Sequence, residues 1–192
     1  LSDKFKDQLI IINDDILKID ETLLFKDTVN VFGNLPYNIS TEILSKWIIN
    51  LKSNFWFNNL ILMFQKEVAE RIVAKPGSKN YGRLSILTNW LTESSKLFDI
   101  PSEAFIPKPK VKSSVIQLKP HSKPLYDVSF ESLEKITHLA FSQKRKMLKT
   151  SLKEINGEKI LEDLNISPNL RPENLSVIDF CKIAKNSTQF KN

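Results

Sequence analysis

"VFGNLPYNIST", residues 31–41, joins a predicted strand to a predicted helix. The run 29–32 is mostly apolar and stops at Gly33, which is typical of a buried strand. Ser40 is expected to cap a helix over 40–50, whose apolar residues share one face. In open α/β sheets, ligands bind outside the carboxyl ends of the strands. The stretch therefore predicts a corner at which a ligand can bind.

The corner itself contains Asn34, Leu35, Pro36 and Tyr37. Pro36 biases Leu35 toward an extended conformation and has no backbone donor. The Asn34 side chain and the Leu35 carbonyl are then two acceptors beside an aromatic ring, which suits adenine or cytosine. Acceptors that hold both amino hydrogens of such a base favour a pyramidal nitrogen, whose lone pair can attack an electrophile. A tight strand-to-helix turn with a packing tyrosine is the alternative interpretation.

Short apolar runs alternate with amphipathic segments along residues 9–118. The pattern predicts strands over 9–12, 29–32, 60–64, 96–100 and 113–118, and helices over 40–50, 66–74 and 83–91. This order indicates an α/β fold with a mainly parallel sheet and helices on its faces. The first strand is expected to be buried, with Asp14 and Asp15 at its carboxyl end.

A polar segment with two prolines, KPHSKP at 119–124, marks a change of character in the chain. Beyond it, the pattern predicts short helices over 129–141, 143–152, 157–164 and 172–185. We therefore divide the chain into the C-terminal part of a sheet domain at 1–120, a linker at 121–128 and a helical domain at 129–192.

Composition narrows the classes of function. The formal net charge of +6 favours an acidic partner, most often nucleic acid, although a basic protein without a polyanion partner stays open. Cys181 is the only cysteine, which excludes a disulfide framework and a cysteine-rich metal site within this sequence. His121 and His138 have no ligand partners at metal spacing, so no metal site is predicted. The longest apolar run, 60–64, is far too short to cross a bilayer, and no membrane partner is expected.

One stretch of the predicted helical domain is strongly basic, with Lys144, Arg145, Lys146, Lys149 and Lys153 uninterrupted by an acid. On a helix, Arg145, Lys149 and Lys153 are spaced i, i+4 and i+8, so they are expected to form one stripe that binds RNA phosphates. A solvated helix face is the alternative interpretation of such a run.

Five segments together resemble one known family, the KsgA-type ribosomal RNA small-subunit adenine dimethyltransferases. They are VFGNLPYNIST (31–41), FQKEVAERIVAKPGSKNYGRLSIL (64–87), PSEAFIPKPKVKSSVIQL (101–118), FSQKRKMLKTSL (141–152) and RPENLSVIDFCKIA (171–184). The resemblance implies a Rossmann-like class I methyltransferase sheet, whose N-terminal part is missing, followed by a small all-helical C-terminal domain.

The resemblance also implies an activity. It is the S-adenosyl-L-methionine-dependent transfer of two methyl groups to N6 of each of two adjacent adenosines, in a hairpin near the 3′ end of small-subunit ribosomal RNA. Such a protein contributes to ribosome biogenesis, is cytoplasmic and acts as a monomer on the small subunit or its precursor. Two alternatives stay open: an Erm-type methyltransferase of large-subunit RNA, and a non-catalytic RNA-binding or ribosome-assembly factor.

Specific residues match the motifs of this family. Residues 34–37 match the catalytic Asn-Leu-Pro-Tyr motif, in which Asn34 also lies near the cofactor. Asp15 matches the acid that binds the amino group of the cofactor adenine, and Phe105 matches the aromatic opposite Tyr37 across the target base. The basic residues Lys144, Arg145, Lys146 and Lys149 are then expected to bind the RNA backbone.

The chain departs from the family in its cofactor-binding motifs. A methyltransferase of this kind needs a glycine-rich turn after its first strand, and none of the four glycines here lies in such a turn. The acid that binds the cofactor ribose is also not found. Since the chain begins with Leu1, we expect it to be a fragment without the N-terminal cofactor-binding segment, inactive by itself.

Overall fold

Four strands form one sheet in the part of the chain that the computed structural model describes, residues 8–52 and 54–187. The strands are β1 (Val29–Asn34), β2 (Phe57–Gln65), β3 (Thr92–Ile100) and β4 (Ser113–Pro120). Their spatial order is β1-β2-β4-β3. Helices pack against this sheet, so the predicted α/β class is confirmed.

The mainly parallel sheet predicted from the sequence is wrong for the described residues. β1 and β2 are parallel and are joined through a helix, whereas β4 is antiparallel to both β2 and β3. The cause is the connection before β4. Residues 101–112 form a loop with a short 3₁₀ turn rather than a crossover helix, so the chain reverses direction and places β4 beside β3.

The described residues contain the helices α1 (Ser40–Asn50), α2 (Lys66–Ile72), α3 (Arg83–Leu91), α4 (Phe130–Ser142), α5 (Leu148–Ser151), α6 (Gly157–Asp163) and α7 (Val177–Ser187). The bounds predicted for α1 and α3 are confirmed. The helix predicted over 172–185 instead divides into a 3₁₀ turn, Pro172–Asn174, and α7. The division falls at Ser176, which exchanges hydrogen bonds with Asp179 in a capping box that starts α7.

The buried strand predicted over 9–12 is also wrong. These residues have no regular secondary structure, and the side chains of Ile10 and Ile11 are 89% and 63% exposed. An apolar run becomes a strand only where a neighbouring strand pairs with its backbone. In the described residues, β1 pairs with β2 along one edge, and no strand pairs with its other edge.

The helix predicted over 143–152 is reduced to α5. Residues 143–147 form a turn, in which the Lys146 amide donates to the Gln143 carbonyl at 2.8 Å. The first amides of α5 donate to carbonyl groups of a distant loop, Leu148 to Leu170 and Lys149 to Pro168. The expected helical stripe of Arg145, Lys149 and Lys153 is therefore wrong, because the three residues lie in a turn, in α5 and in the 3₁₀ turn Lys153–Ile155.

One continuous apolar core extends from the sheet into the C-terminal helices. Leu62 of β2 and Phe180 of α7 are both fully buried in it. Residues 121–128 are also attached to α3, since the Trp90 indole donates to the Tyr126 carbonyl at 2.9 Å. The two regions are thus packed together, while the division at 121–128 stays a prediction.

Candidate active site

The corner predicted at residues 34–37 lies at the carboxyl end of β1. Asn34 is the last residue of that strand and pairs in register with Met63 of β2. Because the two strands are parallel, their carboxyl ends lie at the same edge of the sheet. A turn follows at once, in which the Ile39 amide donates to the Pro36 carbonyl at 3.2 Å. The turn brings α1 in directly after the strand.

Ser40 is the first residue of α1 and not its cap, so the predicted cap is wrong. Ile39 precedes the helix, and no side chain caps its N-terminus. The Ser40 hydroxyl instead donates to the Tyr37 carbonyl at 3.1 Å. Since Ser40 is buried, this bond fixes the corner against the start of the helix.

A cleft of about 270 Å³ opens at the corner. Its lining residues are Asn34, Leu35, Pro36, Tyr37, Met63, Phe105, Pro107 and Pro109. The two aromatic side chains come from separate segments of the chain, Tyr37 from the turn after β1 and Phe105 from the loop before β4. The structure therefore brings all four residues of the predicted catalytic motif into one cleft with the predicted aromatic partner.

Tyr37 is positioned by a hydrogen bond that sequence reasoning missed. Its hydroxyl lies 2.6 Å from the Ser113 hydroxyl, and either oxygen can donate. Ser113 is fully buried at the start of β4, where it pairs with Gln65 on one side and Ile100 on the other. The bonded residues are 76 positions apart, so no local motif signals the contact.

Asn34 and Leu35 have opposite environments. Leu35 is buried in the apolar core and anchors the corner, whereas Asn34 is exposed at the cleft. Within the described residues, the Asn34 side-chain amide has no hydrogen-bond partner. Its oxygen and its amino group are both available to a ligand.

Asp15 is not at the end of a strand and does not line this cleft. Its carboxylate accepts a hydrogen bond from the Leu17 amide at 3.0 Å and forms an exposed ion pair with Lys18 at 3.7 Å. These local bonds are typical of an aspartate in a turn. Of the two residues expected to contact the cofactor, Asn34 lines the cleft and Asp15 does not, and their roles stay predictions.

A charged network joins β3, β4 and α2 next to Ser113. The Lys66 ammonium and the Ser114 hydroxyl each donate to Asp99 at 2.7 Å, and Lys96 lies 3.2 Å from the same carboxylate. The bond from Lys66, followed by those from Ser114 and Lys96, holds the pKa of Asp99 well below its ordinary value. The same contact raises the pKa of Lys66. Both groups therefore stay charged near neutral pH.

The predicted RNA-binding residues differ from one another in the structure. The Lys144 ammonium donates to the carbonyl groups of Lys79 and Tyr81, at 2.9 and 3.0 Å. It is thus occupied in joining the turn after α4 to the segment before α3. The other three predicted RNA-binding cations are exposed and do not line the cleft; they are Arg145, Lys146 and Lys149.

The arrangement at the cleft suits a planar base. Two aromatic side chains can stack on its faces, and the unpaired Asn34 amide can bond its polar edge. Among residues 8–52 and 54–187, no three histidine, cysteine or acidic side chains are grouped closely enough to hold a metal ion. The helices in these residues are also all too short or too polar to cross a membrane.

Comparison with known proteins points to the same chemistry. The model of one protein family, ribosomal RNA adenine dimethylase, matches residues 1–189. The chain is 49% identical over 187 residues to the ribosomal RNA small subunit methyltransferase A of Pelagibacter ubique (strain HTCC1062). This alignment covers 96% of the chain and 71% of the relative.

Two solved structures are similar to this one. A dimethyladenosine transferase from Plasmodium falciparum superposes with a TM-score of 0.80 at 25% identity, covering 95% of this chain and 74% of that one. The 23S rRNA methyltransferase ErmE superposes with a TM-score of 0.67 at 18% identity, covering 98% and 76%. The second likeness is one of fold alone.

Proposed function

This chain belongs to the ribosomal RNA adenine dimethylase family, and from that premise we propose that its cleft holds the target adenine during dimethylation at N6 in small-subunit ribosomal RNA. The observation that supports the proposal most is the meeting of Asn34, Tyr37 and Phe105 in one cleft. An adenine inside a folded RNA must leave its stack before its amino group can react. The two aromatic rings and the unpaired Asn34 amide form a site that can bind such an unstacked base.

The chain's own residues bind and orient the base. Tyr37 and Phe105 stack on it, and stacking is worth roughly 1–3 kcal/mol per base. The Asn34 oxygen accepts one N6 hydrogen and the Leu35 carbonyl accepts the other. With both hydrogens held, N6 becomes pyramidal and its lone pair points out of the plane of the ring, where it can attack an electrophilic methyl group. After the methyl group has been transferred, the N6 proton becomes acidic and leaves without a strong general base.

We further propose that S-adenosyl-L-methionine is the methyl donor and that Asn34 and Asp15 would hold it. The residues fit this assignment in part. The cleft lies at the carboxyl end of parallel strands, where such ligands bind, and the Asn34 amide has no partner in the described residues. The Asp15 carboxylate is exposed, and the ion pair it forms with Lys18 is weak because water screens it. The bound cofactor supplies an electrophilic methyl group.

The proposed partner is small-subunit ribosomal RNA, within the small subunit or its precursor in the cytoplasm, bound by a monomer of this protein. The exposed Arg145, Lys146 and Lys149 would contact the phosphate backbone. The net charge of +6 supports binding of a polyanion.

The test uses the protein as its gene encodes it, with methyl-labelled S-adenosyl-L-methionine and unmethylated ribosomal subunits. We expect label in the small subunit alone, on adenosine N6 when the RNA is digested and analysed by mass spectrometry. Label in the large subunit instead would identify an Erm-type enzyme. Tight binding to the small subunit without label would identify a non-catalytic assembly factor.

A further inference from the structure

A second hollow lies beside the target-base cleft, across the loop that carries Phe105. Its volume is about 330 Å³, and its lining residues are Gln65, Lys66, Glu67, Glu70, Val111 and Lys112. The same two segments of the chain line both hollows, with residues two positions apart. Pro109 lines the cleft and Val111 lines the hollow, just as Met63 lines the cleft and Gln65 lines the hollow.

One strand, β2, contributes a lining residue to each hollow. Met63 and Gln65 are two residues apart on β2, so their side chains leave the same face of the sheet. The rise of a strand separates them by about 6.6 Å. Successive nucleotides of an extended RNA strand can span such a step.

Most charged groups in the hollow are already paired. Lys66 is bound to Asp99, Glu67 to Arg71, and the Glu70 carboxylate to the Asn80 amide at 3.2 Å. The charges of Lys66 and Glu67 are therefore neutralised by ion pairs, whereas the Glu70 carboxylate has a neutral hydrogen-bond donor and lies near the Lys66 ammonium.

Two polar groups of the hollow remain unpaired. The side-chain amide of Gln65, which is half-buried, has no hydrogen-bond partner in residues 8–52 and 54–187. The exposed Lys112 ammonium forms no hydrogen bond and no ion pair within the same residues, and its charge acts on Glu103 only at longer range. What remains for a ligand is one neutral amide, one cation and the apolar surface of Val111.

We propose that this hollow is a subsite for the nucleotide adjacent to the target adenosine. The Gln65 amide, with donors and an acceptor, bonds the polar edge of the base, as glutamine does for adenine. Val111 contacts the face of the base, and Lys112 pairs with its phosphate. Holding this neighbour keeps the strand extended while the target base lies in the cleft. The inference rests on the proposed function, because it needs an RNA strand in the cleft.

The experiment measures equilibrium binding of the protein to a hairpin RNA with the small-subunit target sequence. Three further hairpins are abasic at one position each: the target, its 5′ neighbour or its 3′ neighbour. We expect wild type to bind one of the two neighbour-abasic hairpins at least about fivefold more weakly than the intact hairpin. Gln65→Leu, which keeps the side-chain volume, should bind the intact hairpin at least about fivefold more weakly than wild type does. The affinity of this variant should fall little further when the same neighbour is abasic, because the contact has already been removed. Two outcomes would overturn the subsite. One is that the fold-losses of affinity from Gln65→Leu and from the abasic neighbour multiply when the two changes are combined, and the other is that neither abasic neighbour weakens binding.

Lys112→Gln gives an independent measure if Gln65→Leu does not fold. Removing the lysine charge that contacts one phosphate of single-stranded RNA should reduce the slope of log K against log salt by roughly 0.7. The matched control is Lys119→Gln, an exposed lysine at the other end of β4, which should leave the slope unchanged. Equal slopes for wild type and Lys112→Gln would argue against the phosphate contact and so against the subsite.

The target-abasic hairpin separates this inference from the proposed function. If wild type binds it as tightly as the intact hairpin, the cleft does not hold a base and the proposed function fails. If that hairpin binds weakly while both neighbours are without effect, the subsite alone is wrong.

Discussion

Tyr37 combines an aromatic face in an open cleft with a hydroxyl tied into the sheet. The bond from Tyr37 to the buried Ser113 fixes the far end of the side chain and so keeps the ring at the wall of the cleft. Such restriction matters for catalysis because reacting atoms must be held near their attack geometry. Ser113 is therefore a positioning residue, which acts on the base through Tyr37.

Ser113→Ala should lower kcat/KM for methyl transfer to the small subunit by about tenfold, because it leaves the Tyr37 hydroxyl without its partner. Ser114→Ala is the matched control, since that neighbouring hydroxyl bonds Asp99 instead. Tyr37→Phe should cost about as much as Ser113→Ala, and the double variant little more than either. A loss of thermal stability in Ser113→Ala with unchanged kinetics would instead give the bond a purely structural role.

Asp99 gives the stability of the protein a defined pH dependence. Its pKa is lower in the folded protein than in the unfolded chain, chiefly because Lys66 donates to it. Its contribution is therefore fully present above the unfolded value of about 3.9 and is lost as pH falls through the lower folded value. Asp99→Asn should be less stable than wild type in urea unfolding at pH 7, and this difference should shrink progressively below pH 4.

Asp127→Asn is the control for this pH series. Asp127 is exposed and has no hydrogen-bond or ion-pair partner in the described part of the chain. Its variant should follow wild type at every pH. A gap between wild type and Asp99→Asn that stays constant down to pH 2 would show that Asp99 is not held in its charged form by these bonds.

At the scale of elements, α6 depends on a close approach at its first residue. A Cβ on Gly157 would lie 2.3 Å from the Cβ of Leu152 and 2.7 Å from its carbonyl oxygen. Asn156, directly before it, has a left-handed backbone with φ of 55°. The tight turn between the 3₁₀ turn Lys153–Ile155 and α6 thus requires glycine at this position.

Gly157→Ala should lower the free energy of unfolding by about 1–3 kcal/mol, because the added methyl group forces Leu152 and the turn apart. Gly82→Ala is the matched control. Its methyl group would meet no atom within 4 Å, and the loss of a glycine before α3 should cost less than about 1 kcal/mol. The midpoints of chemical unfolding measure both, and equal midpoints for the two variants would contradict the steric account.

Elements whose signals are local could be predicted from the sequence. α1 and α3 could be located from the spacing of their apolar residues along the sequence. Elements that depend on distant partners could not. The segment 9–12 has the composition of a strand but lacks a neighbouring strand in the described residues. The segment 143–152 has the composition of a helix, yet the amides of Leu148 and Lys149 donate to the carbonyl groups of Leu170 and Pro168 in a distant loop.

The same distinction holds for the site. The Asn-Leu-Pro-Tyr corner at 34–37 is contiguous, so its place at the carboxyl end of β1 could be predicted. That Phe105 lies in the same cleft was expected from the resemblance to a family. The family match confirms the resemblance. The Ser113 contact and the second hollow depend on how β2 and β4 pair, and no sequence motif encodes that register.

For the whole molecule, packing joins the sheet to the helical region and leaves a basic surface free. The Lys144 ammonium joins the turn after α4 to the segment before α3. Arg83 of α3 also pairs with Glu134 of α4. The neighbouring exposed cations are therefore presented on a fixed framework, which keeps the entropic cost of binding RNA low. The likeness in fold to the solved methyltransferases extends over both regions and confirms the predicted Rossmann-like fold.

Replacing Arg145, Lys146 and Lys149 together with glutamine should weaken binding to the small subunit and reduce the slope of log K against log salt by roughly 2–3. The physical reason is that each phosphate contact releases counterions. Lys119→Gln and Lys123→Gln together remove exposed charges elsewhere and should change the slope little. If the triple variant has the same slope as wild type, these three residues do not contact the RNA phosphates and the RNA-binding surface lies elsewhere.

The most direct test of the central claim is methyl transfer by Asn34→Ala in the protein as its gene encodes it. Initial rates on unmethylated small subunits would be measured beside the affinity for the same subunits. Because Asn34 is exposed and its amide is unpaired in the described residues, the substitution should not disturb the fold. The account predicts a loss of methyl transfer by more than about a hundredfold with nearly unchanged subunit binding. Equal rates for Asn34→Ala and wild type would contradict it.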